Sequence, residues 1–83
     1  MPYVSEDRRA NLTPIVGKYA ENGGDLNYQF TCLIKEYLKY NGETYKSIND
    51  ILGALEGSKL EFYRRVVSDL EEKKILENGD VYE

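Results

Sequence analysis

The clearest pattern in the chain lies between residues 48 and 74. Apolar side chains stand at Ile48, Ile51, Leu52, Leu55, Phe62, Tyr63, Val66 and Leu70. At about 100° per residue these positions share one stripe of a helix. Gly57-Ser58 interrupts the stretch, and Ser58-Lys59-Leu60-Glu61 would serve as a fresh capping box. The sets before and after Gly57 nevertheless keep the same phase. A broken pair of helices has no reason to preserve that phase, so one long helix over 48–74 is expected, bent if anywhere at Gly57.

A second apolar face runs through Leu26, Phe30, Leu33, Ile34, Tyr37 and Leu38. Its steps of three, four and one predict an amphipathic helix, capped by Asp25 and stopped at Asn41-Gly42. Tyr28, Cys32, Lys35 and Lys39 fall on its opposite face. Ahead of it, Thr13-Pro14 predicts the start of a short helix through Ile15, Val16, Tyr19 and Ala20. Asn22-Gly23-Gly24 would stop that helix. Ser5-Glu6-Asp7 has the makings of one more helical turn near the N-terminus. Ser47-Ile48-Asn49-Asp50 reads as the capping box of the long helix, with residues 42–46 as the connection. Gly79 marks the far stop, and Val81 and Tyr82 are expected to pack on the core or on a neighbouring subunit. The expectation is an all-α fold, a single helical domain over residues 1–83.

Length sharpens this picture. A helix of residues 48–74 is about 40 Å long. A compact chain of 83 residues has a diameter of about 30 Å. The helix would overhang its own globule, and the commonest partner for an overhanging amphipathic helix is a second copy. Other sources of stability are few. One cysteine, Cys32, forbids an internal disulfide, and the absence of histidine leaves little for structural zinc. Self-association is therefore expected.

Hydrophobic residues make up 41% of the chain and charged residues 31%, a globular balance. No apolar run reaches the length of a membrane span, and the N-terminus lacks the pattern of an export signal. With a lone thiol, this places the expected site of action in a cytoplasm, the host's if the source is viral. Eleven basic residues against fifteen acidic ones give a net charge of −4, which opposes nucleic-acid binding. Eight tyrosines beside two phenylalanines and no tryptophan point to surfaces that are half apolar and half wet.

Catalysis finds little to work with. The commonest general base is missing, Cys32 has no histidine partner, and no glycine-rich phosphate loop is present. A non-catalytic protein with no cofactor and no metal is expected. The segment that carries polar groups onto the apolar stripe is Glu56, Lys59 and Tyr63. Charges there must be paired or wet. One reading pairs Lys59 with Glu56 structurally; the other turns an ammonium and a phenol toward a ligand. Arg65 has Glu61 and Asp69 four residues away on either side, whereas Arg64 has Leu60 and Ser68 and is expected to be more available to an anion. Asn27 and Tyr28 add an amide and a phenol near a helix start. Asn27, Tyr28, Glu56, Lys59, Tyr63 and Arg64 form the candidate set for a small, anionic, nucleotide-like ligand held near a subunit interface.

Asp25-Leu26-Asn27-Tyr28, Ile48 to Glu56, Lys59-Leu60-Glu61-Phe62-Tyr63-Arg64-Arg65-Val66 and Glu77-Asn78-Gly79-Asp80-Val81-Tyr82 together resemble an uncharacterised family of small phage and prokaryotic proteins. The resemblance spans most of the chain and brings no function with it. By analogy of size alone, some small phage proteins act as sponges that sequester nucleotide signals of host defence. Residues 33–82 also loosely resemble a winged helix-turn-helix, with Leu60–Leu76 as recognition helix and Asn78-Gly79 as wing turn. That form needs a break at Gly57, its apolar spacing slips by a residue near Leu70, and Glu61 and Asp69 charge its recognition helix poorly for phosphate. A protein-binding adaptor without ligand is the remaining alternative.

Overall fold

A computed structural model describes residues 4–12 and 18–82. Every element it forms among these residues is helical: α1 (Glu6–Leu12), α2 (Gly23–Asn41), α3 (Tyr45–Phe62), a π-helical turn (Tyr63–Val67) and α4 (Ser68–Asn78). Backbone contacts group the chain into two compact units, Met1–Leu33 and Ile34–Glu83. The all-α expectation holds.

In the first unit, α1 starts where Ser5 Oγ accepts the Arg8 amide at 3.3 Å. Only a single turn was foreseen there. The expected helix from Thr13 is corrected in part. Thr13 to Gly17 lie outside the described residues, and Tyr19 and Ala20 are not helical. The Gln29 side-chain amide donates to the Lys18 carbonyl at 2.7 Å, tying that segment to the first turns of α2. α2 itself opens one turn before Asp25. Asn22 Oδ1 accepts the Asp25 amide at 2.8 Å, and Asp25 Oδ2 accepts the Glu21 amide at 3.1 Å. Asn22 is thus the cap, and Asp25 is the acidic third residue of a reciprocal pair.

The second unit is built on a helical hairpin. α2 ends at Gly42, whose φ of 86° lets its amide reach back to the Leu38 carbonyl at 2.8 Å. Thr44 then caps α3, its Oγ1 accepting the Ser47 amide at 3.1 Å. The cap expected at Ser47 again lies one turn earlier. Ser47 is drawn inside instead, 3% exposed, with its hydroxyl directed at the Asn41 carbonyl. Across the hairpin the Tyr37 hydroxyl donates to Asp50 Oδ2 at 2.8 Å, and Lys46 donates to the same oxygen at 3.0 Å. Ile34, Leu38, Asp50 and Ile51 are half-buried there.

From Tyr45 to Asn78 the backbone stays helical. Tyr63, Phe62 and Ser68, at the junctions, all have right-handed helical φ and ψ. The segment is about 50 Å long. It passes through Gly57 without a turn, so the break that a helix-turn-helix needs is not formed. The irregularity falls later, at Tyr63–Val67, where the ladder widens and the Ser68 amide bonds the Tyr63 carbonyl. Such a turn accommodates one extra residue and sets the downstream segment back by about 100°. Leu70, about 40° from Ile48 in a regular helix, is thereby carried to about 300°. Continued as a plain α-helix, Ile75 would lie on the far side from Ile48, about 180° away; after the π turn it lies within about 80° of the apolar line.

No hydrophobic residue among those described is buried. Leu52 is 61% exposed and Phe62 59%. The hairpin covers the flank of α3 that carries Ser47 and Ile51 and leaves the line of Ile48, Leu52, Leu55, Phe62 and Val66 open. Val81 and Tyr82, expected to pack, are 90% and 95% exposed.

Asp50 has its carboxyl pKa held below the ordinary value, first by the Tyr37 hydroxyl and then by Lys46. A depressed folded pKa gives stability that is complete above the unfolded value and is lost as pH falls through the folded one. The hairpin should therefore loosen only below about pH 4. Tyr37→Phe should move the Asp50 pKa upward, as read by carboxyl NMR titration. An unchanged Asp50 titration would show that the hairpin bond does not form.

Candidate functional site

The polar residues expected on the stripe of the long helix are found there, in an exposed strip on α3 and the π turn. Lys59 Nζ lies 3.5 Å from Glu56 Oε1, one turn before it, and both side chains are exposed. This is the pairing that the structural reading of Lys59 required. Exposed pairs of this kind contribute little, about 0–1 kcal/mol, because water and salt compete for both ends. Lys59 is consequently able to exchange its carboxylate for another anion at small cost.

Arg64 is corrected. It does have an intrahelical carboxylate, at the third residue before it rather than the fourth. Arg64 Nη2 donates to both oxygens of Glu61, at 3.0 and 2.8 Å. Arg65 Nε donates to Glu61 Oε2 at 3.1 Å, as its spacing predicted. The two guanidinium groups hold the Glu61 carboxyl below its usual pKa, Arg64 contributing most. One carboxylate thus stands against two guanidinium groups, and the cluster keeps a net positive charge. Glu61 was read only as a neutraliser of Arg65; the i−3 spacing of Arg64 was the signal for its larger part.

Tyr63 donates its hydroxyl to Glu71 Oε1 at 3.1 Å, across two turns. In an unbroken α-helix these residues would sit about 80° apart around the axis. The set-back at the π turn brings Glu71 to within about 20° of Tyr63. The bond raises the Tyr63 pKa above its ordinary value. Sequence spacing alone, which assumes a regular helix, gives no sign of this pair.

Asn27 and Tyr28 lie in the other unit, in the first turns of α2. The Asn27 carbonyl accepts a bond from Thr31 Oγ1 at 3.2 Å. The Cys32 thiol, one turn along, hydrogen-bonds Tyr28 and pushes its phenol pKa up. Cys32 is exposed. The structure therefore keeps Glu56, Lys59 and Tyr63 on one side of the helix, whereas Arg64, paired with Glu61, lies about 140° around the axis from Lys59. Asn27 and Tyr28 form a separate pair on α2.

Among the described residues, no group of three or more Cys, Asp and Glu side chains is placed to hold a metal ion. No described helix is long and apolar enough to cross a membrane.

The family model described as Domain of unknown function (DUF6899) matches residues 1–81, and the chain belongs to that family. No curated protein and no solved structure matches it.

The Tyr63–Glu71 bond offers a direct check on the π turn. Glu71→Gln should return the Tyr63 phenol toward its ordinary pKa, read by NMR with ring-labelled tyrosine. A Tyr63 titration indifferent to that change would mean that the helix runs in regular register.

Proposed function

We propose that this member of the DUF6899 family is a non-catalytic, homo-oligomeric helical binding protein that holds a small anionic, nucleotide-like ligand beside its subunit interface. The observation that carries the reading is the strip at Glu56–Arg65. There an exposed phenol and an ammonium border an apolar line that the hairpin leaves uncovered, and a guanidinium pair lies further around the same helix. Tyr63 offers a ring face for a base, since aromatic–base stacking contributes about 1–3 kcal/mol without sequence preference. Lys59 and Arg64 offer donors for phosphate, with Arg64 able to turn both guanidinium donors from Glu61 to a ligand oxygen. Glu56 orients Lys59 in the absence of ligand. By analogy, such a protein would act as a sponge for a nucleotide signal, as some small phage proteins do. Asn27 and Tyr28 are proposed as further ligand contacts on the strength of their chemistry.

A second reading is favoured by the same open apolar line: an adaptor that binds protein alone, with the strip serving only as a polar border. The winged-helix reading loses ground, because α3 continues through Gly57 and the chain carries a net charge of −4.

Thermal shift and calorimetry with cyclic dinucleotides and ADP-ribose derivatives separate the two readings. The binding reading expects stabilisation by at least one of these, lost about tenfold or more in affinity on Lys59→Ala or Tyr63→Ala. No response to any of them would leave the adaptor.

A further inference from the structure

The charges on the open line of the long helix form a pattern that a single chain does not explain. Taking Ile48 as the origin and about 100° per residue, Leu52, Leu55, Lys59, Phe62 and Val66 all lie within about 40° of it. The set-back at Tyr63–Val67 then moves Glu71 from about 140° to 40° and Lys74 from about 80° to 340°. Both come onto the line. Without the π turn they would face away from it or lie at its border; Ile75 comes from the far side to the border, and Leu70 moves to about 60° on the other side. The seam thus carries Lys59 before the π turn and Glu71 and Lys74 after it, with Glu56 at its border, and the signs alternate along the chain.

We infer that the seam is closed by a second copy of this chain running antiparallel, with the two helices crossing at residue 65. Reversal about that residue sets Lys59 opposite Glu71 and Glu56 opposite Lys74. It also sets Leu55 opposite Ile75. Every charge on the seam meets its opposite, twice over by the two-fold symmetry of such a pair. In a parallel pair in register, Lys59 would face Lys59 and Glu71 would face Glu71, an arrangement that like charges disfavour. The Tyr63 hydroxyl, bound to Glu71, holds that carboxylate on the seam where Lys59 of the other copy arrives. The same reversal carries the exposed tail, Val81 and Tyr82, to the Ile48 end of the second helix. This gives those two side chains a surface that their own unit does not offer them.

The inference deepens the proposed function, since it names the partner that borders the Tyr63–Lys59 strip and gives that strip a second carboxylate, Glu71 of the other copy. A ligand phosphate would have to compete with that carboxylate for Lys59. Binding and assembly are thereby coupled.

Two experiments read the orientation. In a Cys32→Ser background, chains with Leu55→Cys and chains with Ile75→Cys are oxidised separately and as a mixture. The antiparallel seam predicts a disulfide-linked dimer in the mixture and none from either chain alone. Linked dimers from each chain alone would overturn it in favour of a parallel pair. Charge reversal guards against loss of assembly by the cysteines themselves. Lys59→Glu and Glu71→Lys should each weaken self-association about tenfold, measured by sedimentation equilibrium, and the two together in one chain should restore it. Two single reversals without effect, or a double reversal no better than either, would overturn the pairing. A parallel dimer sinks the orientation and leaves nucleotide binding standing. Absence of nucleotide binding leaves the seam standing.

Discussion

A helix in water gains little from its own hydrogen bonds, which only replace bonds to solvent, and most of its stability in proteins comes from packing an apolar face. The segment from Tyr45 to Asn78 presents such a face along its whole length, and the hairpin formed with the end of α2 covers only one flank of it. Ordering a residue costs about 1–2 kcal/mol of backbone entropy. Half-exposed leucines and a half-exposed phenylalanine return only part of the approximately 1.5–3 kcal/mol that each would contribute if fully buried. The open apolar line is the constraint from which the remaining features follow. It explains why the strongest local devices sit at the ends of the helices: Asn22 with Asp25, Thr44 with Ser47, and glycine at 42 and 79 in a backbone geometry that other residues resist.

The π turn is the second determining feature. A π turn sets everything after it back by about one residue, and Tyr63–Val67 does so within five residues. It thereby aligns Glu71 with Tyr63 and returns Ile75 toward the line set by Ile48 and Leu52. The polar strip at Glu56–Arg65 lies immediately before and within this turn. The chemistry proposed for binding and the geometry proposed for assembly therefore share the same few residues.

Much of the fold was legible in the sequence. The 3.6-residue period located α2 and the long helix, and the preserved phase across Gly57 decided correctly for one continuous element. Helix starts were read one turn late at both Asp25 and Ser47. In each case two capping residues stand three apart, and composition alone does not say which is the cap and which its reciprocal partner. Arg64 was taken as available because carboxylates were sought four residues away, while Glu61 lies at three. The Tyr37–Asp50 bond joins residues far apart in sequence and left no local sign. The π turn left no sign in the apolar pattern, because Leu70 keeps the phase of a regular helix. Of the candidate site, the grouping of Glu56, Lys59 and Tyr63 followed from helical spacing, whereas the place of Glu71 beside Tyr63 depended on a backbone irregularity.

The central claim is that the helix from Tyr45 to Asn78 is held by a second copy. Circular dichroism at 222 nm, followed over a dilution series beside sedimentation equilibrium on the same samples, tests it most directly. The account predicts that helicity and average mass fall together as the protein is diluted, with a common midpoint. Full helicity retained in a chain that sediments as a monomer throughout would contradict it.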